Sequence, residues 1–313
     1  MRFAKYHGLG NDFVVVDLRD ADAATALAIQ DPDVVRAVCD RQFGVGGDGV
    51  LAILPATTAT SVARMRVLNA DGSEAEMCGN GIRCVVEVLH GRGVTANPMA
   101  IDTGAGQLVC ERIEGGVTVA MGAPRLTRGE IPMAGPPGER CISQPLDNSA
   151  LPFGSAASPA QARLVDARGQ VFSVTGVSMG NPHAVIFVAD DGGQDLRALA
   201  ETFGPAIETC STFPARTNVE FVRTRSRTEL DVVVWERGCG ITLACGTGAC
   251  ATVVAAILNN RCDEETDVCV NLLGGSLTIR VLANMANVSM TGPAVHVFDG
   301  ELEPRAVRPR PRR

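Results

Sequence analysis

The stretch CGNGIR at residues 78–83 and the stretch CGTGAC at residues 245–250 each lead into an apolar segment with helical periodicity. Both stretches begin with cysteine and carry glycine at their second and fourth positions. Glycine permits a tight turn in which backbone amides approach a bound group closely. The recurrence of this turn predicts a fold that is built twice, each time around a helix that begins just after a cysteine.

Other features recur in the same order in the two halves of the chain. LGND at residues 9–12 corresponds to MGNP at residues 179–182, and Asn69 and Glu236 lie at the same distance ahead of the two cysteines. The period of this repeat is far longer than the roughly 20–50 residues of a solenoid unit. The pattern therefore predicts a duplicated domain.

The hydrophobic pattern predicts many short strands and few helices. Runs rich in valine and isoleucine predict strands at residues 13–18, 50–54, 64–68, 117–121, 171–177, 184–188, 219–222, 230–235, 268–272, 277–282, 288–290 and 295–298. Helical periodicity predicts helices at residues 33–41, 82–90, 195–203 and 249–258. This balance favours an α+β fold in which strands wrap helices over an alternating βαβ order.

A change of composition divides the chain near its middle. Residues 132–159 are rich in proline, glycine, alanine and serine and have no sustained period, which is typical of a linker. We expect a first half at residues 1–124, an extended linker at 125–165 and a second half at 166–300. The Pro-Arg alternation of residues 301–313 forbids a helix and predicts a basic, disordered tail.

The composition excludes several classes of protein. The chain has 313 residues, 46% of them hydrophobic, and its formal net charge of −7 excludes the broad basic field of a nucleic-acid-binding protein. No apolar run approaches the ~20 residues of a membrane-spanning helix. The first residues also lack the apolar core of a secretion signal. These features predict a cytoplasmic protein that binds a small molecule, with neither nucleic acid nor membrane as a partner.

The cysteines and lysines narrow the chemistry. The eleven cysteines are odd in number and no two are spaced as C-x-x-C, so they predict free thiols rather than disulfides or a zinc site. Among the 28 basic side chains only Lys5 is a lysine, on what the pattern indicates is an N-terminal edge strand. A pyridoxal phosphate enzyme needs a lysine for its Schiff base, and Lys5 is poorly placed for one.

A cysteine just before a helix is placed for acid–base chemistry. It faces unpaired backbone N–H groups and the positive end of the helix dipole, which favour the thiolate and lower the pKa of the thiol. The glycines let the same amides approach an α-carboxylate, and Asn80 and Thr247 are placed to cap the helices or bind that carboxylate. Two buried cysteines in glycine-rich turns would be the plainer interpretation.

Two such thiols facing one gap would suit inversion at a carbon atom. If the halves pack face to face, Cys78 and Cys245 lie on opposite sides of whatever is bound between them. One group then removes an α-proton from one face while the other delivers a proton to the opposite face, and their roles exchange in the reverse reaction. Helix-end amides would stabilise the carbanion without a metal.

Other polar residues at related positions are candidates for the same site. Four asparagines lie in short polar breaks beside strands and, taken singly, would be turn residues: Asn11, Asn69, Asn181 and Asn218. Arg237 is a candidate for binding a carboxylate, and Glu236 for binding an ammonium or tuning Cys245. His183 is a candidate for setting the protonation of a thiol.

These residues resemble the diaminopimelate epimerase family. The motifs that carry the resemblance are HGLGNDF at residues 7–13, NADGSE at 69–74, MCGNGIRC at 77–84, GNPH at 180–183, ERG at 236–238, ACGTGAC at 244–250 and MTGP at 290–293. The likeness spans the chain from its start to about residue 300, apart from the linker.

The resemblance implies a fold and an activity. The fold is two pseudo-symmetric domains, each a strand-rich layer wrapped around a central helix. The activity is conversion of LL-2,6-diaminopimelate into the meso form, in lysine and peptidoglycan-precursor synthesis, with neither a pyridoxal cofactor nor a metal and with the protein as a homodimer. The family's catalytic pair falls on Cys78 and Cys245, and its residues that tune the thiols fall on His183 and Glu236. Its substrate contacts fall on Asn11, Asn69, Gly79, Asn80, Asn181, Asn218, Glu236, Arg237, Gly246 and Thr247.

Three departures and two alternatives stand beside this prediction. Ile241 stands where many members of the family carry Glu. Gly49 stands where some members carry Gln, and Phe298 stands where some carry a Tyr tied to dimer contacts. A proline or hydroxyproline racemase would share the fold and both thiols, but proline lacks a distal group that would need Asn80 and the Glu236–Arg237 pair. A thiol-redox or amino-acid-binding protein is the alternative without catalysis.

Overall fold

The computed structural model describes residues 1–146, 171–189 and 194–302, and the chain divides into two compact units. The first comprises Met1–Ala120 and the residues from Thr291 onward, and the second comprises Met121–Met290. Within the described ranges, no helix is long and apolar enough to cross a membrane.

Within the described residues, the elements are eighteen strands, five α-helices and a 3-10 turn at Ala283–Met285. The strands are β1 (Arg2–Gly8), β2 (Asn11–Asp17), β3 (Gly49–Leu54), β4 (Ala63–Asn69), β5 (Glu74–Ala75), β6 (Met99–Thr103), β7 (Gly106–Ile113), β8 (Gly116–Ala120), β9 (Gln144–Pro145), β10 (Ser173–Ser178), β11 (Pro182–Val188), β12 (Asn218–Ser226), β13 (Glu229–Glu236), β14 (Gly240–Ile241), β15 (Asp267–Leu272), β16 (Gly275–Val281), β17 (Val288–Gly292) and β18 (Val295–Glu301). The helices are α1 (Ala23–Ile29), α2 (Pro32–Cys39), α3 (Gly79–Gly91), α4 (Leu196–Glu208) and α5 (Gly246–Leu258).

The first unit begins with a hairpin and continues through parallel pairings. Leu9 and Gly10 have φ values of 55° and 85°, which is the backbone that a tight two-residue hairpin needs, so β1 and β2 pair antiparallel. Next, β2 pairs parallel with β3, β3 antiparallel with β4, and β4 antiparallel with β5 and parallel with β6. Antiparallel β6–β7 and β7–β8 pairs follow.

The second unit repeats this order of pairings. Antiparallel β10–β11 corresponds to β1–β2, parallel β11–β12 to β2–β3, and antiparallel β12–β13 to β3–β4. The short β14 and the parallel partner β15 join β13 as β5 and β6 join β4, and antiparallel β15–β16 completes the series. Two units with one topology are what the repeated motifs predicted.

Each unit has one helix that is buried on nearly all sides. In α3 the side chains from Ile82 to Val86 are all buried, and in α5 so are those from Ala249 to Ala256. The first helix is packed by β1, β2, β3, β4, β7 and β8, and the second by β10, β11, β12, β15 and β16. A helix that is apolar all round must be covered on all sides. The predicted α+β fold, a strand layer wrapped around a central helix, is confirmed.

The predicted domain boundaries need correction. Residues 291–300 were assigned to the second half, but β18 pairs antiparallel with β1 and belongs to the first unit. Its Glu301 pairs with Arg2, so the residue that was to start the tail is the end of a strand. The rest of the predicted basic tail, from residue 303, lies outside the described residues.

The predicted linker is also partly wrong. Its residues up to 146 fold with the second unit, where four buried side chains join the core beneath α4: Ile131, Met133, Cys141 and Leu146. In addition, β9 pairs with β10. Apolar side chains at irregular spacing have no sequence period, so the composition alone indicated a linker. Residues 147–165 of that prediction lie outside the described residues.

Lys5 does not lie on an edge strand as predicted. The strand β1 has β2 on one side and β18 on the other. Lys5 is 7% exposed, and its Nζ lies 2.5 Å from the carboxylate of Asp12. The returning strand β18 covers the edge, and the buried ammonium is balanced by an ion pair.

Candidate active site

Both candidate catalytic cysteines cap the central helix of their unit. Cys78 has extended backbone with φ −140° and ψ 114°, and its Sγ accepts the Gly81 N–H at 3.3 Å. Cys245 has φ −118° and ψ 110°, and its Sγ accepts the Gly248 N–H at 3.3 Å. An N-cap sulfur occupies the place that a serine or aspartate oxygen usually takes. Each thiol therefore lies at the positive end of a helix dipole, where the sequence placed it.

The glycines of the two turns allow close packing beneath the sulfurs. A Cβ on Gly81 would lie 2.9 Å from Leu51 Cδ2, and a Cβ on Gly248 would lie 2.9 Å from Glu220 Oε1 and 3.2 Å from Cys245 Sγ. Gly79 and Gly246 are the first residues of their helices, so their N–H groups have no partner within the helix.

A polar network in the first unit holds the side chains around Cys78. Asn11 Oδ1 accepts from Asn80 Nδ2 at 3.2 Å and lies 3.8 Å from Cys78 Sγ. Asn11 Nδ2 donates to Asp48 at 2.8 Å, and the buried guanidinium of Arg83 donates to Asn80 Oδ1 at 3.0 Å. Asp48 therefore fixes the orientation of the Asn11 amide, and Arg83 fixes that of the Asn80 amide.

The sequence reasoning missed Asp48 and Arg83 as parts of this network. Arg83 lies inside the quoted motif, five residues after Cys78 and on the buried face of the helix. A charged residue in an otherwise apolar helical segment was the available signal.

Asn69 lies at the end of β4 and is engaged with its own turn. Its Nδ2 donates to Ser73 Oγ at 2.9 Å, while the Ser73 hydroxyl donates to Asp71 at 2.6 Å. Its partner across the sheet is Gly49, where a Cβ would lie 2.6 Å from the Leu68 carbonyl oxygen. The chain therefore has no space for a side chain at position 49 without a backbone shift.

In the second unit a hydrogen-bonded chain leads away from Cys245. Its Sγ lies 3.5 Å from Thr247 Oγ1, which accepts from Asn181 Nδ2 at 3.3 Å. Asn181 Oδ1 lies 3.0 Å from His183 Nε2, and His183 Nδ1 lies 2.7 Å from Glu220 Oε1. The structure thus joins three residues predicted from the sequence, Thr247, Asn181 and His183, to a fourth that was not predicted.

That fourth residue, Glu220, lies in a strand that the sequence predicted only as an apolar run. Its side chain and that of His183 are both fully buried. An acidic residue flanked by valine and phenylalanine inside a buried strand was the signal, because buried carboxylates are rare unless they have a partner.

The environment of Cys245 opposes ionisation of its thiol. Burial raises the pKa of the Cys245 thiol well above its usual value, and the carboxylates of Glu236 and Glu220 raise it further. The Thr247 hydroxyl and the Gly248 amide act in the opposite direction and are outweighed. The expectation that the helix start lowers the pKa is therefore wrong for Cys245, because burial and two carboxylates exceed the effect of the helix end.

A second cluster holds the turn after β13. Asn218 is buried, its Oδ1 accepts the Arg237 N–H at 2.9 Å, and its Nδ2 donates to the Pro182 carbonyl at 3.1 Å. Glu236 Oε1 accepts from the Thr242 hydroxyl at 2.5 Å. Asn218 thus ties the starts of β11 and β12 to the end of β13. Its predicted role as a substrate contact stays a prediction.

Glu208, at the end of α4, supports the same turn and was also missed. Its carboxylate accepts from Trp235 Nε1 at 2.8 Å and from the Gly238 N–H at 3.0 Å. Ile241 packs against the apolar core beneath α4. Arg237 itself is exposed.

The structure also shows the state of the cysteines and the placement of potential metal ligands. All eleven cysteines are free. In the part of the chain that the structure describes, no three His, Cys, Asp or Glu side chains come together as a potential metal site.

The duplicated topology belongs to a fold class whose solved members include epimerases and racemases. A hydroxyproline epimerase from Agrobacterium vitis has the same fold, with a TM-score of 0.63 over 98% of this chain and 94% of that chain. A probable proline racemase from Agrobacterium radiobacter matches with a TM-score of 0.63 over 96% of this chain and 92% of the other. Their identities to this chain are only 16% and 14%, so these likenesses show the fold alone.

Within that class, the chain belongs to the diaminopimelate epimerase family. The family model for diaminopimelate epimerase matches residues 3–127 and 175–297. A diaminopimelate epimerase from Desulfitobacterium hafniense is 46% identical over 308 residues, covering 96% of this chain and 98% of the relative. The protein is therefore an isomerase with diaminopimelate epimerase activity. The proline racemase and non-catalytic alternatives are not favoured.

Proposed function

We propose that the protein converts LL-2,6-diaminopimelate into meso-diaminopimelate by proton transfer between its α-carbon and the thiols of Cys78 and Cys245. The observation that carries this proposal is the shared geometry of the two cysteines. Each sulfur caps a buried helix and accepts an amide N–H at 3.3 Å. Equal placement in two copies of one fold fits two groups that exchange roles.

The reaction is a balanced exchange of protons. The thiolate of one cysteine takes the α-proton, so that an S–H bond forms while the C–H electron pair stays on the α-carbon. The thiol of the other cysteine gives its proton to the opposite face of that carbon and becomes a thiolate. The reverse reaction uses the same pair with the roles exchanged.

The carbanion needs stabilisation of the charge that develops on its carboxylate. The first backbone N–H groups of α3 and α5, beginning at Gly79 and Gly246, have no partner within their helices. Fixed N–H donors at a helix start stabilise such a charge without reorganising during the reaction. We expect this to suffice without a pyridoxal cofactor or a metal.

The polar residues around the two helix starts are proposed as substrate contacts. Arg237 would bind a carboxylate through its guanidinium, and Glu236 would bind an ammonium group. The remaining proposed contacts are Asn11, Asn69, Gly79, Asn80, Asn181, Asn218, Gly246 and Thr247. His183 and Glu236 are proposed to tune the thiols, which is supported by the hydrogen bond of His183 to Asn181 and by the effect of Glu236 on the pKa of Cys245.

The setting of the enzyme follows from the family and the thiols. Free cysteines persist in a reducing compartment, so we propose that the enzyme is cytoplasmic. From the family, we propose that it acts in lysine and peptidoglycan-precursor synthesis. We propose a homodimer that uses the exposed apolar side chains of β18: Val295, Val297 and Phe298.

The test is proton NMR of LL-diaminopimelate in D2O with the purified, reduced protein and no added cofactor. Loss of the α-proton signal together with meso product is expected for the wild type. Cys78→Ala and Cys245→Ala, each shown to be folded by circular dichroism, should form no meso product. Substantial epimerisation by either variant would remove the two-thiol mechanism.

A further inference from the structure

Glu220 is a buried acid beneath the start of the second central helix. It lies on β12, where it pairs with Val185 of β11, and its side chain is fully buried. A Cβ built on Gly248 would lie 2.9 Å from Glu220 Oε1 and 3.2 Å from Cys245 Sγ. The carboxylate of Glu220 and the sulfur of Cys245 therefore both lie close to the Cα of Gly248, where a side chain would contact both.

The carboxylate of Glu220 is only half satisfied. Its Oε1 pairs with His183 Nδ1 at 2.7 Å, and its Oε2, among the residues the structure describes, has no hydrogen-bond partner. Burial raises the pKa of the Glu220 carboxyl above its usual value, and the interaction with His183 opposes that rise. The negative charge of Glu220 is therefore maintained by its pairing with His183.

The groups that face Cys245 from its neighbouring elements have opposite effects on the pKa of its thiol. Glu220 approaches from β12, Glu236 from the end of β13, and His183 from β11 through Asn181 and Thr247. The backbone amide of Gly248 approaches from α5 itself. The two carboxylates act against a thiolate, whereas the amide acts in its favour.

The matching helix start in the first unit has a buried charge of the opposite sign. Arg83, which is fully buried, donates to the Gly79 carbonyl at 3.1 Å and to Asn80 Oδ1 at 3.0 Å. Cys250 stands at the corresponding position of α5. The first unit thus has a buried basic side chain at its helix start, and the second has a buried acidic one.

We propose that Glu220 is a positioning residue that keeps the proton on Cys245 in the free enzyme, so that Cys245 begins the reaction as the acid. This inference rests on the proposed role of Cys245 in proton transfer. Glu220 acts through its charge and touches no substrate. Burial is the largest cause of the raised pKa of the Cys245 thiol, and the carboxylates of Glu236 and Glu220 raise it further, which agrees with this role.

The test compares Glu220→Gln with the wild type by two measurements. The first is the rate of iodoacetamide alkylation of Cys245 between pH 6 and 10, followed by tryptic mass spectrometry. Cys78 is the internal reference because it is the only cysteine in the tryptic peptide 67–83, whereas the peptide 238–261 needs fragmentation to separate Cys245 from Cys239 and Cys250. The second measurement is the pH profile of kcat/KM.

Removal of the carboxylate charge should make the thiolate of Cys245 easier to form. At pH 8, alkylation of Cys245 in Glu220→Gln should be about three- to tenfold faster than in the wild type, with the rate at Cys78 unchanged. The alkaline limb of kcat/KM should move to lower pH, because it reports loss of the proton from Cys245 in the free enzyme. Glu201→Gln on the exposed face of α4 removes one carboxylate from the same unit and should change neither.

Two outcomes would overturn the inference. One is an unchanged alkylation rate with an unchanged pH profile in folded Glu220→Gln. The other is slower alkylation of Cys245, which would assign Glu220 a role in ionising the thiol. If Glu220→Gln does not fold, Glu220→Asp keeps the charge further from the sulfur and should give an intermediate shift, with no shift counting against the inference. Failure of the two-thiol mechanism itself would appear separately, as activity in Cys245→Ala.

Discussion

Cys78 and Cys245 cap equivalent helices with nearly the same backbone angles, yet their immediate neighbours differ. The Sγ of Cys78 lies 3.8 Å from the amide oxygen of Asn11. Cys245 lies 3.5 Å from the Thr247 hydroxyl, with the carboxylate of Glu220 behind it. The two thiols therefore occupy equivalent positions in the duplicated fold, but different side chains surround them.

The two helix-start glycines should respond differently to the addition of one methyl group. In Gly248→Ala the new Cβ would lie 2.9 Å from Glu220 Oε1 and 3.2 Å from Cys245 Sγ, so the carboxylate must shift and the sulfur must give way by a few tenths of an ångström. We expect kcat to fall by at least about a hundredfold, since small misplacements of catalytic groups have effects of that size.

Gly81→Ala is the matched control in the first unit. Its Cβ would meet Leu51 Cδ2 at 2.9 Å and Cys78 Cβ at 3.4 Å, so it crowds a flexible side chain more than the sulfur. We expect a loss of about 1–3 kcal/mol in the free energy of unfolding and a smaller loss of kcat. Steady-state kinetics and urea unfolding of both variants check this, and equal losses of kcat would contradict it.

Glu208 should affect substrate binding more than turnover. Glu208→Gln replaces an acceptor of the Trp235 and Gly238 N–H groups by an amide NH2, which leaves one buried donor without an acceptor. The turn that carries Arg237 should loosen. We expect KM to rise about tenfold with a smaller change in kcat, and the free energy of unfolding to fall by about 1–3 kcal/mol.

Unfolding of this variant can be followed by Trp235, the single tryptophan of the chain. Glu201→Gln, on the exposed side of the same helix, should leave KM and stability unchanged. A fall in kcat at constant KM would assign Glu208 a different role.

Asp102 should make the first unit sensitive to acid. Its carboxylate accepts from the backbone N–H and hydroxyl groups of Thr57 and Thr58 and from the Ser61 hydroxyl at 2.6 Å. The Ser61 hydroxyl, with help from the Thr57 and Thr58 donors, holds the pKa of Asp102 well below its usual value, despite the opposing effect of burial.

Because the folded pKa of Asp102 is lowered, its stabilisation is complete above the unfolded value of about 4 and is lost as the pH falls through the folded value. Asp102→Asn should therefore be less stable than the wild type at pH 7. The difference should shrink as the pH is lowered from 5 to 2. Urea midpoints at a series of pH values test this, with Asp20→Asn on the surface as control, and a constant difference would count against it.

The exposed apolar side chains of β18 should govern association. Val295 and Val297, which are separated by one residue on the strand, are 43% and 51% exposed, and contiguous exposed apolar side chains mark contact surfaces. Val295→Asp with Val297→Asp should convert a homodimer into a monomer, as measured by light scattering after gel filtration. Leu27→Asp, at a more exposed apolar residue on α1, should leave the dimer intact. A monomeric wild type would end the proposal of a dimer through β18.

Much of the fold could be predicted because its signals are local. The helix starts at Cys78 and Cys245 depend on a capping side chain and a glycine turn within a few residues. The hairpin at Leu9 and Gly10 is likewise a local feature. The predicted strands and helices agree with the observed elements to within a few residues in most cases, since apolar periodicity follows directly from which face is buried.

The sequence by itself determined that the chain is built twice around two helix-capping thiols, because caps, turns and periodicity are properties of neighbouring residues. Only the tertiary structure decided that β18 returns to the first unit, that residues up to 146 pack into the second, and that Glu220 lies behind Cys245. Each of these depends on which distant strand pairs with which, as in the parallel β11–β12 pair that brings Glu220 to His183. The cost of burying a charge is set by those distant neighbours, and no local pattern encodes them.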